Sequence, residues 1–352
     1  MNTIFGRKEL SCSRVGLTYD DVLLVPRKSE VRSRRNPNLG AKITKLRSLQ
    51  IPIISANMDT VTESEMAIAM NVLGGMGIIH RFLSIENQVA EVRKVADSEA
   101  TIISASLGVN DDFKERARAL VDAGVNVLTI DIAHGHSIQM LETLKFLKDS
   151  FPGVEVIAGN ISTPEAAEEL IEAGADSLKV GIGPGSMCST RVITGCGVPQ
   201  MTAVAFCTEV ADAYGVPVIA DGGIKSSGDI VKALAAGAQT VMLGNLLSGT
   251  METPGDIKSG HKIYRGMASK SAQVSWRGVL PEGMAPEGES TRVSVKGRVR
   301  DVVMELCGGI RSGMSYLNAE TITELQNNAR FIQITSHGVF ESKPHGLEKG
   351  AD

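Results

Sequence analysis

The sequence predicts an α/β protein built as a (β/α)8 TIM barrel, with an N-terminal arm and a long catalytic flap after the eighth strand. Three observations carry that prediction. Eight short, nearly continuous apolar runs recur along the chain, each is followed by a stretch with helical spacing, and several of those stretches open on Asp, Thr or Ser and close on Gly. Apolar runs without alternation mark strands buried on both faces, which in a βα alternation means a parallel sheet covered by helices. Eight such units close into a barrel.

The strand candidates, in order, are PIISAN (52–57), GMGIIH (75–80), TIISASLG (101–108), NVLTIDIA (126–133), EVIAGN (155–160), SLKVGIG (177–183), PVIADGG (217–223) and TVMLGN (240–245). Between them, DDFKERARALVDAG, TPEAAEELIEAG and SSGDIVKALAAG place apolar residues three and four apart. Their closing glycines, Gly124, Gly174 and Gly237, fall where a helix terminates in a left-handed residue. A Rossmann sheet would place a Gly-rich phosphate turn after its first strand, and ANMDTVTE supplies none. Outside the eight units, residues 1–51 carry a basic segment, RKSEVRSRRNPN, read as a solvated surface arm. Residues 246–300 are rich in Gly, Pro and Glu without periodicity, a length that marks a functional flap or disorder. The tail from Gly309 returns to a helical pattern and then frays.

Composition narrows the class. Of 352 residues 43% are apolar and 4% aromatic, with 37 Gly, which excludes disorder, collagen and coiled coil. Lys and Arg number 36 against 40 Asp and Glu, a net charge of -4, so neither nucleic acid nor an anionic membrane is an expected partner. Five widely spread cysteines without a C-x-x-C pair suit a reduced chain, no apolar run approaches a membrane span of about 18 residues, and MNTIFGRKELS lacks the apolar stretch of a signal peptide. The expected location is cytoplasmic. Length alone allows two domains; the strand list, from 52 to 245, points to one barrel domain over 1–352.

In such a barrel the active site lies at the C-terminal strand ends. Here these are Asn57-Met58-Asp59, His80-Arg81, Asp131 to His136, Asn160, Gly181 to Arg191, Asp221-Gly222-Gly223 and Gly244-Asn245. In GIGPGSMCSTR (181–191), three glycines let the backbone turn tightly around Ser186 and Cys188, and a thiol so placed is a candidate nucleophile; an inert buried cysteine is the competing reading. Asp221 with Gly222, Gly223 and Gly244 suits ribose and phosphate, or a plain tight turn. His134, His136 and Asp131 are too few good ligands for zinc catalysis.

GIGPGSMCSTR followed by TGCGVPQ resembles the signature of the IMP dehydrogenase and GMP reductase family, and the resemblance runs along nearly the whole chain. It includes YDDVLLVP (19–26), ANMDTV (56–61), DIAHGHS (131–137), AGN (158–160), KVGIGPGS (179–186), ADGGI (220–224), YRGMAS (264–269), PEG (286–288), GGIRSGMSY (308–316) and ITSHGVFES (334–342). The resemblance implies covalent attack by a loop cysteine on purine C2, a purine mononucleotide ligand, a nicotinamide cofactor (NADPH or NAD) and a homotetramer. Position by position, it makes Cys188 the nucleophile, Thr190 and Glu287 its catalytic partners, and Asp131 the acid near the cofactor, with Ala133 and Asn160 beside it. It gives Asp221 to the ribose, Ser186, Gly223 and Gly244 to the phosphate, and Met267 and Ala268 to the purine, with Met58, Asn245, Tyr264 and Gly266 completing the substrate set. Gly183, Gly185 and Cys188, with Glu341 and Ser342 of a neighbouring copy, resemble the family's monovalent cation (K+) site.

Which of the family's reactions is run turns on the flap, about 264–297. The dehydrogenases of the family carry an Arg-Tyr pair there that activates water; this flap has Trp276-Arg277 instead, and only twelve residues separate Gln273 from Pro286, as in the reductases. ANMD, PRKSEVRSR (26–34) and the twenty or so residues between the second and third strands, where most dehydrogenases insert CBS modules, also resemble the reductases. PEG followed by RVSVKG and the GVFES tail resemble the dehydrogenases instead, while Arg81 stands where Lys is common and Met284 where many reductases carry Arg. The expectation is NADPH-dependent reductive deamination of GMP, with a CBS-free IMP dehydrogenase as the alternative. The basic run from Arg27 to Arg35 reads as solvated surface rather than as a site for a cofactor 2′-phosphate.

Overall fold

The structure is a computed structural model and describes residues 4–12, 15–110, 112–280, 282–283 and 285–344. Eight parallel strands close into a barrel: β1 (Ile53–Ser55), β2 (Met76–Ile79), β3 (Ser104–Leu107), β4 (Val127–Asp131), β5 (Glu155–Ile161), β6 (Ser177–Val180), β7 (Val218–Asp221) and β8 (Thr240–Leu243). Each pairs with the next in chain order, and β8 returns to β1 with Val241 opposite Ile53. All eight predicted strands are present. Ile54, Ile78, Leu128, Ile130, Ile157, Leu178 and Ile219 are fully buried, as strands covered on both faces require.

Helices cover the outside of the barrel, and local chemistry sets their ends. Ser84, Ser137, Thr163 and Ser226 each accept a backbone N–H three residues on, and Pro164 occupies the first turn after Thr163. Gly124, Gly174 and Gly237 take positive φ just after their helices, as predicted. Asp112 is the exception: it does not cap the helix Phe113–Asp122 but receives Arg116 at 2.9 and 2.7 Å. That guanidinium is buried and also donates to Gln88 Oε1 and the Leu83 carbonyl, so its demand for acceptors outweighs the cap.

Two regions add to the sequence reading. Outside its basic segment the N-terminal arm is partly buried. Ile4–Phe5 pairs antiparallel with Phe331–Gln333, which pairs on its other edge with Val22–Leu24, and Leu10, Leu17, Tyr19 and Val22 are buried. None of these two- and three-residue strands would persist alone; together they form a small sheet that joins the tail to the arm. The basic segment keeps the predicted exposure, with Arg34 stacked over Tyr316 at 5.4 Å. Phe331 is fully buried and faces Phe5 at 6.2 Å, so Phe331→Ala should cost about 3–5 kcal/mol of stability. Chemical denaturation checks this, and a loss under about 1 kcal/mol would contradict it.

Of the two readings of the stretch after β8, its described residues fit the flap: they form regular elements where the sequence shows no period. His261–Arg265 and Ser290–Ser294 form an antiparallel hairpin that carries the helix Lys270–Arg277 between its strands, and the helix Val299–Tyr316 follows. The first strand turns only Lys262 and Tyr264 fully inward, so no apolar periodicity announces it. Lys262 donates to the carbonyls of Thr250, Met251 and Thr253 at 3.1, 3.0 and 2.6 Å, which fixes the hairpin to the turn after β8. Among the described residues no helix is long and apolar enough to cross a membrane.

Candidate active site

A cavity of about 640 Å³ opens at the C-terminal ends of the strands. That volume suits a small organic ligand. Every residue assigned above to catalysis, substrate, cofactor or cation lines it except Glu341 and Ser342.

The loop after β6 delivers the thiol. A Cβ at Gly181 would lie 2.0 Å from the Asp221 carbonyl oxygen, so only glycine lets the chain pass β7 at this point. Arg191 then donates to the Val198 carbonyl at 2.6 Å and holds the loop's return limb. At the tip Cys188 is exposed; its Sγ donates to Thr190 Oγ1 at 3.1 Å, and Thr190 Oγ1 donates to Glu287 Oε2 at 2.8 Å. Glu287 comes from the flap, ninety-seven residues away along the chain. Backbone pairing brings it there: Ser189 N–H donates to the Glu287 carbonyl, Glu289 N–H to Met187, Glu287 N–H to Ala268 and Gly266 N–H to Glu289, at 2.9 to 3.1 Å. Loop, flap and the YRGMAS segment therefore make one small surface around the thiol.

Beside it, Ser186 Oγ and the buried Tyr264 hydroxyl share a hydrogen bond of 3.1 Å. Burial pushes the Tyr264 hydroxyl above its ordinary range, keeping it protonated and able to donate. Gly244 sits against that hydroxyl, with room for a backbone but not a side chain: a Cβ would approach it to 2.8 Å.

The cavity floor holds a residue that the sequence reading missed. Lys179, on β6 and almost fully buried, donates to Asp131 Oδ1 at 3.0 Å, to Asp221 Oδ2 at 3.1 Å and to Asn160 Oδ1. Asn160 Nδ2 donates in turn to Asp221 Oδ2 at 2.9 Å and to the Gly181 carbonyl at 2.8 Å. The signal was available: a lone ammonium inside the apolar run SLKVG has to be paired if the strand is buried on both faces. Burial opposes both charges, yet Asp131 is held below the usual carboxylate range by Lys179 and Arg81, and Lys179 above the usual ammonium range by Asp221 and Asp131. A lowered carboxyl stabilises the fold above its unfolded value, 3.8, and that contribution is lost as pH falls through the lowered one; a raised ammonium stabilises below 10.5 and is lost as pH rises through the raised one. The cluster's contribution should therefore be level across neutral pH. A unfolding midpoint that slopes between about pH 5 and 9 in the parent chain, and is flat in Asp131→Asn, would contradict this.

At the mouth Arg81 lies 4.6 Å over Phe82 and 6.0 Å from the Trp276 ring, Arg277 lies 4.5 Å over the Trp276 ring, and Phe82 meets Trp276 edge-on at 5.6 Å. This stack docks the flap helix onto the loop after β2. Met284 lies outside the described residues. His136 pairs with Glu169 at 3.1 Å, and among the described residues no cluster of His, Cys, Asp or Glu fits a metal ion. Glu341 and Ser342 lie at the end of the helix Ser336–Glu341 and do not line the cavity that Gly183, Gly185 and Cys188 line.

The family model described as the IMP dehydrogenase / GMP reductase domain matches residues 16–345. Inosine-5'-monophosphate dehydrogenase from Cryptosporidium parvum is 45% identical over 95% of this chain and 96% of the relative. GMP reductase from Leishmania major is 36% identical over 95% of this chain and 97% of its own length, in an alignment of 479 positions that leaves the relative with a long stretch this chain lacks. The crystal structure of a Cys-to-Ala variant of GMP reductase from Trypanosoma brucei, in complex with guanosine 5'-monophosphate, superposes with a TM-score of 0.90 at 35% identity, over 97% of this chain and all of that one. The chain belongs to the IMP dehydrogenase / GMP reductase family. Enzymes of this family are oxidoreductases that use a nicotinamide cofactor.

Proposed function

We propose that the protein is a GMP reductase: GMP, NADPH and two protons give IMP, NADP+ and ammonium. The observation that carries the reading is the hydrogen-bonded line from Cys188 through Thr190 to Glu287, in a flap whose Trp276-Arg277 replaces the water-activating Arg-Tyr pair.

The cavity divides to fit both ligands. Ser186, Gly223 and Gly244 would take the nucleotide phosphate, Asp221 its ribose, and the Met267–Ala268 backbone its purine edge. Toward Asp131 the donor set fits a nicotinamide dinucleotide: Ile132, Ala133 and Phe82 offer an apolar strip, Asp131 an acceptor, and Arg81 and Arg277 two guanidiniums for phosphate oxygens. Cys188 attacks purine C2 as its proton moves along Thr190 toward Glu287, forming an S–C2 bond. The same pair returns a proton to the exocyclic nitrogen, which leaves as ammonia while the C2–N bond breaks. When bound, the reduced cofactor supplies the hydride that takes the vacated place at C2. The S–C2 bond then breaks and the thiol is regenerated. Asp131 and Lys179 stay paired beneath these steps and exclude water from the floor.

The alternative is an IMP dehydrogenase without CBS modules, favoured by the higher identity to the Cryptosporidium parvum dehydrogenase. Both readings take the chain as one catalytic barrel and expect a homotetramer in which a neighbour supplies Glu341 and Ser342. One assay separates the reactions: loss of reduced-cofactor absorbance with GMP and NADPH supports the reductase, gain with IMP and NAD the dehydrogenase, and neither removes both.

A further inference from the structure

We infer that Lys179 is a positioning residue that aims the nucleotide-facing and the cofactor-facing carboxylates together, so that the two binding halves of the cavity share one hinge-pin. Four consecutive strands each give one member of the cluster: Asp131 closes β4, Asn160 lies in β5, Lys179 in β6, and Asp221 closes β7. Lys179 and Asn160 both hold Asp221 through Oδ2, and Asp221 lines the cavity. Asp131 is held through Oδ1 by the same ammonium, with Arg81 3.8 Å from Oδ2. Without Lys179 the two carboxylates would keep only the Asn160 amide and the more distant Arg81 as partners in a buried floor, where like charges repel strongly, and each would swing away from its ligand. The hydrogen bonds of the ammonium go to Asp131, Asn160 and Asp221. It acts through the two acids.

This rests on the proposal that Asp221 faces the nucleotide and Asp131 the cofactor. Steady-state kinetics of the full chain with both ligands varied, alongside Lys179→Met, Lys179→Arg, Asp221→Asn and Asp131→Asn, tests it. In Lys179→Met the KM for nucleotide and the KM for cofactor should both rise at least about tenfold, with kcat falling less. Asp221→Asn should move mainly the nucleotide KM, and Asp131→Asn mainly the cofactor KM. Lys179→Arg, which keeps the charge, should restore both KM values in parallel toward those of the parent. A loss of packing alone would lower active fraction and kcat without this paired shift and its parallel rescue. If Lys179→Met does not fold, Lys179→Gln, which keeps a donor but not the charge, decides: a parallel rise of both KM values supports the inference, and movement of one alone or of neither overturns it. Lys179→Met with either KM within about twofold of the parent overturns it as well. A parent chain inactive in both directions refutes the functional reading instead, so the two failures are distinct.

Discussion

Cys188→Ala should lose turnover by on the order of 10⁴-fold or more while still binding the nucleotide. On the proposed route the sulfur forms the bond to C2, and alanine leaves no thiol to replace it. Binding rests elsewhere. Ser186 with Tyr264, the glycine backbone at 223 and 244, and Asp221 pinned by Lys179 are untouched by the substitution. Because Cys188 is exposed and fills no core space, the variant should also unfold at the parent midpoint. Calorimetric titration with GMP, set beside the turnover assay, checks both halves. Turnover within tenfold of the parent would rule out a covalent route, and loss of binding would show that the thiol orients the ligand rather than attacking it.

The second large effect belongs to the pair behind the thiol. Thr190→Val removes the hydroxyl that links Cys188 to Glu287, and Glu287→Gln removes the carboxylate that can take up a proton at its far end; each should lower kcat by about 10²–10⁴-fold. The two act in series, so the double variant should be little worse than the poorer single one. Multiplicative losses would show that Thr190 and Glu287 work independently. KM for the nucleotide should stay near the parent value, since neither side chain belongs to the Ser186 and Asp221 contacts. Pre-steady-state mixing with GMP locates the effect. If the pair carries protons to the departing amine, ammonia release slows along with turnover.

The barrel was legible because its strands repeat one physical condition, burial on both faces, which leaves runs such as TIISAS and VLTID without polar alternation. The strand ends followed from that count, and the residues that resemble the family's machinery, apart from Glu341 and Ser342, meet in one cavity. What escaped has a different origin in each case. The tail strand at Phe331 depends on Ile4 and Val22, more than three hundred residues upstream, and no local period reports a pairing at that range. The hairpin after β8 escaped because its inward positions are Lys262 and Tyr264 rather than aliphatic residues. Lys179 was hidden in the opposite way: it sits inside a run so apolar that the charge reads as an interruption, although burial makes it the residue most in need of partners. Asp112 shows the limit of capping rules, since a buried guanidinium nearby competes for the same oxygens.

Glu287 reaches Thr190 through backbone pairing with the loop and not through any element the two share. Main-chain contacts of that kind are indifferent to side-chain identity. Apart from the Trp276 stack that docks the flap helix, the segment between Gln273 and Glu287 is free to vary without disturbing the barrel, provided the pairing at 287–289 survives. On the proposed covalent route, such an arrangement would make the fate of the adduct an attachable trait, and grafts of this segment between relatives offer a direct way to test that.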